Sequence, residues 1–245
     1  MGFQELLIAA SAAAIATSIG ALIAIPIHRI GRGWHSAMLA FSGGLMAFSA
    51  LEMFGQSHSA AGDIGAIGGF LTGIILLFIA EKLLPHAHLW IRKKELIPEK
   101  RKAALLFGTI TIHNVPEGFA IASAFAGATP LGWLVAAAIA IQDIPEGFLV
   151  SSPMACYGSS PGKCIKYGVF SGLVEFMAAI LGFLFLSYIS ILVPPALAFA
   201  SGAMAYVVFV ELLPDAFRSG LERTAALSFL LGAGLGFALA TMLAF

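Results

Sequence analysis

The chain has 245 residues, of which 60% are hydrophobic and only 11% are charged. A soluble domain of this length could not bury so much apolar surface, so the composition predicts an integral membrane protein. The 13 basic and 13 acidic residues balance, which gives no reason to expect a nucleic-acid partner.

Apolar runs separated by Gly, Pro and small polar residues predict an all-α protein with eight transmembrane helices. The first run lacks the basic start of a signal peptide and is too long for one, so we interpret it as a spanning helix. We expect one transmembrane domain, 1–245, in a cell membrane. The predicted helices cover 3–26, 36–54, 65–84, 103–126, 131–154, 166–190, 193–214 and 224–245.

The basic residues predict the orientation. Every Lys and Arg except Lys82 falls in the links that follow helices 1, 3, 5 and 7 or, for Lys166, at the adjoining end of helix 6. The other links and both ends have none. Basic links face the cytoplasm in most membrane proteins. Both termini are therefore expected on the extracytoplasmic side.

Two helices carry similar sequences. FSGGLMAFSALE, 41–52, and ASGAMAYVVFVE, 200–211, share small residues, a Met, an aromatic residue and a final Glu. They would cross in opposite directions, as in an inverted repeat that matches helices 1–3 with helices 6–8. The match is short and Gly-rich, so chance similarity of composition is the alternative.

The fourth and fifth helices carry related polar motifs, HNVPEG at 113–118 and QDIPEG at 142–147. Positions i and i+4 lie on one face of a helix, and position i+1 opens an adjacent direction. Both motifs fall near the middle of the bilayer, where each ionised acid costs at least about 2.5–3.5 kcal/mol. A divalent cation or protonation could compensate. The candidate ligands are His113, Asn114, Glu117, Gln142, Asp143 and Glu146.

The sixth helix adds Glu175 at similar depth. This mixture of nitrogen and oxygen donors suits Zn²⁺, and Cd²⁺, Mn²⁺, Fe²⁺ and Co²⁺ are plausible. Two adjacent sites bridged by Glu117 and Glu146 are possible, with the ion as cargo and no resident cofactor. Weaker candidates for metal on the inner side are Glu211, His86 and His88.

The paired HNxPEG and xxxPEG helices in an eight-span chain resemble the ZIP family of metal-ion transporters. This resemblance implies uptake of mainly zinc, a midplane site for two metals, a 3+2+3 inverted-repeat fold and a homodimer. It implies as ligands the same six motif residues together with Glu175. The sequence departs from the family pattern at Gln142, where many members have His, and at Phe176, where Pro often follows the Glu.

Two other functions are compatible with acids in the membrane. A proton-coupled carrier of a small organic solute would use midplane carboxylates, but no predicted span has a midplane basic residue to bind an anionic substrate. An intramembrane metalloprotease would need an HExxH helix, and HNVPE lacks the second His. We therefore expect a transporter of divalent metal ions into the cytoplasm and not an enzyme.

Overall fold

A computed structural model describes residues 2–27, 30–92, 98–156, 160–218 and 220–243. Side chains are described in these ranges except at 84–92, 98–112, 153, 154 and 156. The described secondary structure is helical throughout, as the composition predicts. The helices are α1 (Gly2–Ile23), α2 (Arg32–Arg92), α3 (Pro98–Gly127), α4 (Thr129–Cys156), α5 (Pro161–Tyr188), α6 (Val193–Tyr206), α7 (Leu213–Phe217) and α8 (Glu222–Leu243).

Two short segments complete the second half. A 3₁₀ turn, Ser190–Leu192, leads into α6, and a π-helical segment, Val207–Leu212, joins α6 to α7 without a break. Among the described residues, six helical segments are long and apolar enough to cross a membrane. Their outward faces carry large apolar side chains, which suits a surface that contacts lipid rather than water.

Helix α2 is far longer than one span, and it bends at Gly62. This glycine has φ 68° and ψ −178°, a backbone conformation that residues with a Cβ rarely adopt. The bend divides α2 into a first arm, 32–61, and a second arm, 63–92. The helices predicted at 36–54 and 65–84 lie on these two arms.

The first arm runs antiparallel to the continuous helix formed by α6, the π-helical segment and α7. The Ser36 hydroxyl donates to the carbonyl oxygen of Ala216 at 2.7 Å. At the other end of the arm, the Ser57 hydroxyl donates to the carbonyl oxygen of Pro194, also at 2.7 Å. Serine hydroxyls thus hold the two helices together at both ends.

The second arm runs parallel to α6. Gly69 packs beside Pro195 near the start of both segments. Farther along, the Tyr206 hydroxyl donates to a carboxylate oxygen of Glu81. Because one arm is antiparallel and the other parallel to the same helix, the chain reverses direction at Gly62.

The helices pack as two groups. Helices α1, α3, α4 and α5 contact one another extensively, and α2 packs with α6, α7 and α8. The two groups meet mainly where α2 contacts α4 and where α3 contacts α6. Buried apolar residues from both groups form one continuous core.

Close helix crossings in the second group come in matched pairs. A Cβ on Gly44 would clash with the carbonyl oxygen of Phe229, and a Cβ on Gly202 would clash with that of Phe70. When Met46 is aligned with Met204, Gly44 corresponds to Gly202. The first arm therefore meets α8 in the way that α6 meets the second arm.

A second pair of close crossings shows the same correspondence, with the glycines now on α8 and on the second arm. A Cβ on Gly232 would clash with the carbonyl oxygen of Phe41, and one on Gly73 would clash with that of Phe199. Phe41 matches Phe199 in sequence. These paired contacts argue against chance similarity of composition as the origin of the repeat.

The π-helical segment interrupts the match between the two halves. Phe48 of the first arm corresponds to Tyr206 of α6. Glu52 follows Phe48 by four residues, whereas Glu211 follows Tyr206 by five. A π-helical turn accommodates one extra residue in a helix, and Val207–Leu212 lies between Tyr206 and α7.

We expect Gly202→Ala to lower the thermal unfolding temperature of the detergent-solubilised protein. The added methyl group must push α6 away from the second arm, which costs about 1–3 kcal/mol for overpacking. Gly55→Ala is the matched control, because a Cβ at Gly55 meets nothing within 4 Å. Equal unfolding temperatures for the two variants would contradict the close crossing.

Candidate metal centre

The two polar motifs lie inside continuous helices. Helix α3 runs through Pro116 and α4 runs through Pro145, so each motif keeps a helical spacing. The glycine that ends each motif packs directly against a neighbouring helix. A Cβ on Gly118 would clash with the carbonyl oxygen of Glu175 in α5, and one on Gly147 would clash with that of Thr17 in α1.

Three carboxylates from the two motifs meet at one point. Glu117, Asp143 and Glu146 each offer an oxygen, and these oxygens lie within 4.8 Å of one another. The three residues are only 1%, 1% and 7% exposed. Like charges at this separation and burial repel strongly, so the cluster requires a cation or protons.

A fourth acid joins them from α5. Glu175 is fully buried and interacts electrostatically with Asp143 and Glu117. It reaches the cluster because α5 crosses α3 closely at Gly118. The ion pairs in the described part of the chain include none of these four acids.

The nitrogen atoms of two amides are engaged as hydrogen-bond donors. The Gln142 Nε2 donates to Oε1 of Glu117 at 2.8 Å. The Asn114 Nδ2 donates to the carbonyl oxygen of Ser171 at 3.1 Å. These bonds leave the amide oxygens of Gln142 and Asn114 available as ligands.

The centre is rich in oxygen atoms and poor in donors. Seven buried side-chain oxygens have no hydrogen-bond partner. Buried acceptors without donors cost about 1–3 kcal/mol each, and more when they are charged. A divalent cation would satisfy several at once, which is the typical use of such an oxygen set. These atoms are Asn114 Oδ1, Glu117 Oε2, Gln142 Oε1, Asp143 Oδ2, Glu146 Oε1, Glu175 Oε1 and Glu175 Oε2.

His113 connects the cluster to the π-helical segment. It interacts electrostatically with Glu117, and its Nε2 lies 2.7 Å from Oε1 of Glu211. Glu211 belongs to the π-helical segment Val207–Leu212, so this contact joins that segment to α3. Glu211 therefore lies next to the main site rather than at a separate one.

A small cavity of about 100 Å³ continues from this pair. Asp215, one helical turn beyond Glu211, lines it, and Asp215 also forms an ion pair with Arg218 at 3.0 Å. The cavity thus extends from the buried Glu146 to Asp215, beside the basic residue Arg218. Its polar and sulfur-bearing lining residues are His35, Met46, His113, Glu146, Glu211 and Asp215.

The structure places the predicted site residues together. The six motif residues and Glu175 are all buried. The four acids, Gln142 and His113 interact with one another, and Glu211 joins them through His113. The side chains of His86 and His88 lie outside the described residues.

Three residues near this site were not predicted from the sequence. His35 and Asp215 line the cavity, and Thr17 lies beside Asp143. The four-residue spacing from Glu211 to Asp215 places both on one helix face and could have identified Asp215. No sequence signal singled out His35 or Thr17, because both approach the site through long-range packing.

Comparisons with known proteins identify a family and several relatives. The family described as ZIP zinc transporter matches residues 92–244. The chain is 37% identical to the zinc transporter GufA of Myxococcus xanthus, over 92% of this chain and 94% of that protein. It is 34% identical to the zinc transporter ZIPB of Bordetella bronchiseptica, over 90% and 75% of the two chains. It is also 34% identical to ZupT of Corynebacterium efficiens, over 87% of each.

We expect Glu175→Gln to raise the unfolding temperature of the metal-free protein. The substitution replaces a carboxylate that has no donors by a neutral amide of similar shape, which relieves about 1–3 kcal/mol of unfavourable burial. Glu222→Gln, at an exposed position on α8, is the control for the chemical change itself. A lower metal-free unfolding temperature for Glu175→Gln than for the control would contradict this account.

Proposed function

The chain belongs to the ZIP family of zinc transporters, and we propose that it carries Zn²⁺ across a membrane into the cytoplasm. The observation that carries the proposal is the group of four buried acids, five of whose oxygens have no hydrogen-bond partner. Its curated relatives GufA, ZIPB and ZupT are named transporters and not enzymes, in agreement with the expected class.

The donors fall into two adjacent sets that share the bridging residues Glu117 and Glu146. One set adds His113 and Gln142, and supplies an imidazole nitrogen and oxygen ligands. The other adds the residues at the i+1 positions and Glu175, and supplies oxygen alone. We propose a binuclear site on this basis. Its ligands are His113, Asn114, Glu117, Gln142, Asp143, Glu146 and Glu175.

The ion leaves past the small cavity. In this proposal, it passes from Glu146 to His113 and Glu211, and then towards His35 and Asp215. His86 and His88 would receive it on the cytoplasmic side. Alternating access follows if α1, α3, α4 and α5 move as a unit against the other group, because most contacts lie within the groups.

The architecture we propose has eight spans in a 3+2+3 inverted repeat, with both termini extracytoplasmic. It counts the two arms of α2 as separate spans and α6 to α7 as one. The chain reversal at Gly62 and the matched glycine crossings support it. The basic links support the orientation, a cell membrane is the expected location, and a homodimer is expected from the family resemblance.

We expect Glu117→Gln and Glu146→Gln each to abolish saturable zinc flux into proteoliposomes. Each change removes a bridging carboxylate, and loss of a ligand at both proposed sites should reduce uptake by more than about 100-fold. Glu52→Gln, on the first arm and outside the cluster, is the control. Gel filtration checks folding.

Parallel assays with Cd²⁺, Mn²⁺, Fe²⁺ and Co²⁺ define the range of cargo. Folded wild-type protein that moves none of these metals would overturn the proposal. That outcome would favour the proton-coupled carrier of an organic solute, which the buried acids would also serve.

We expect Gln142→His to increase the preference for Zn²⁺ over Mn²⁺ in the same flux assay, by about tenfold. Imidazole is a better ligand for Zn²⁺ than an amide oxygen, and Mn²⁺ prefers oxygen. The measured quantity is the ratio of the two metals' Vmax/KM. A ratio equal to that of the wild type would show that residue 142 does not contact the ion.

A further inference from the structure

Thr17 occupies, in the first half of the chain, the place that Glu175 occupies in the second. The glycine of one polar motif, Gly147, packs against the backbone of Thr17, and the glycine of the other, Gly118, packs against that of Glu175. The repeat therefore places the Thr17 side chain at the same acidic centre, from the opposite side.

The hydrogen bonds of the two halves correspond in the same way. In the second half, the carbonyl oxygen of Ser171, four residues before Glu175, accepts from Asn114 at 3.1 Å. In the first half, the matching carbonyl is that of Ala13, four residues before Thr17. Asp143 stands in the place of Asn114 and has no amide to donate, and the Thr17 hydroxyl donates to Ala13 at 3.2 Å instead.

Thr17 is 1% exposed, and its hydroxyl also interacts with the Asp143 carboxylate. A hydroxyl has one proton to donate and can rotate between two acceptors. When Asp143 is ionised beside a cation, its carboxylate is the stronger acceptor, because hydrogen bonds to charged groups are the stronger ones.

We propose that Thr17 is a positioning residue for metal binding, whose hydroxyl orients the Asp143 carboxylate towards the ion. The inference rests on the proposed function and adds to it a residue of α1, a helix with no acid or His at this depth in its described part. The proposed metal site that has only oxygen ligands then has a neutral donor, Thr17, on one side and an acid, Glu175, on the other.

The test compares Thr17→Val, which keeps the shape and removes the hydroxyl, with Thr17→Ser, which keeps the hydroxyl. Ser18→Ala is the matched control. Ser18 is the next residue of α1 and donates to Ala14 at 2.9 Å in the same i to i−4 pattern, without a contact to the acids. Thr17→Ala replaces Thr17→Val if the valine variant does not fold.

Three quantities are measured on the full-length protein: the Kd for Zn²⁺, the KM and Vmax of flux, and the unfolding temperature with and without Zn²⁺. Thr17→Val should weaken binding and raise KM by about tenfold, the scale of a hydrogen bond to a charged group. Its metal-free unfolding temperature should match that of Ser18→Ala. Thr17→Ser should keep the wild-type Kd.

A Kd for Thr17→Val equal to that of Ser18→Ala overturns the inference. So does a Thr17→Ser variant that binds as weakly as Thr17→Val, because the hydroxyl would then be irrelevant. In both cases zinc binding by the wild type leaves the proposed function standing. Failure of the folded wild type to bind any Zn²⁺ overturns the proposed function and the inference together.

Discussion

Four buried carboxylates, five of whose eight oxygens have no hydrogen-bond partner, are the feature on which the rest of the structure depends. Removing even one such group from water costs several kcal/mol unless a cation or a proton compensates. The neighbouring amides do not neutralise this cluster, because Gln142 donates once and Asn114 donates elsewhere. The protein therefore holds a cation-binding arrangement at the expense of its own metal-free stability, as binding sites commonly do.

Close helix crossings make that arrangement possible. Gly118 and Gly147 allow α5 and α1 to approach the motif helices at backbone contact, so Glu175 and Thr17 reach the centre. Van der Waals packing of small residues is the main force between helices in lipid, where the hydrophobic effect contributes little. The residues that hold the bundle together are thus neighbours in sequence of those that would hold the ion.

The motif residues could be predicted from sequence, because a spacing of i, i+1 and i+4 fixes the relative positions of side chains on one helix. The orientation of Gln142, by contrast, depends on a second helix. The contact between His113 and Glu211 was beyond prediction, since it requires the packing of two segments far apart in the chain and a π-helical turn. The sequence predicts only a link between the second and third helices, whereas the structure shows α2 in helical form on both sides of Gly62.

The extra residue in the π-helical segment makes the two halves of the molecule chemically different. Each added residue turns a helix by about 100°, so Glu211 cannot occupy the place that Glu52 holds in the other half. Glu211 instead faces His113, while Glu52 is not part of the acidic cluster. Two perfect copies would present a passing ion with the same chemistry at both faces of the membrane. A single inserted residue makes the two halves unequal, and the pairing of Glu211 with His113 is found in the second half.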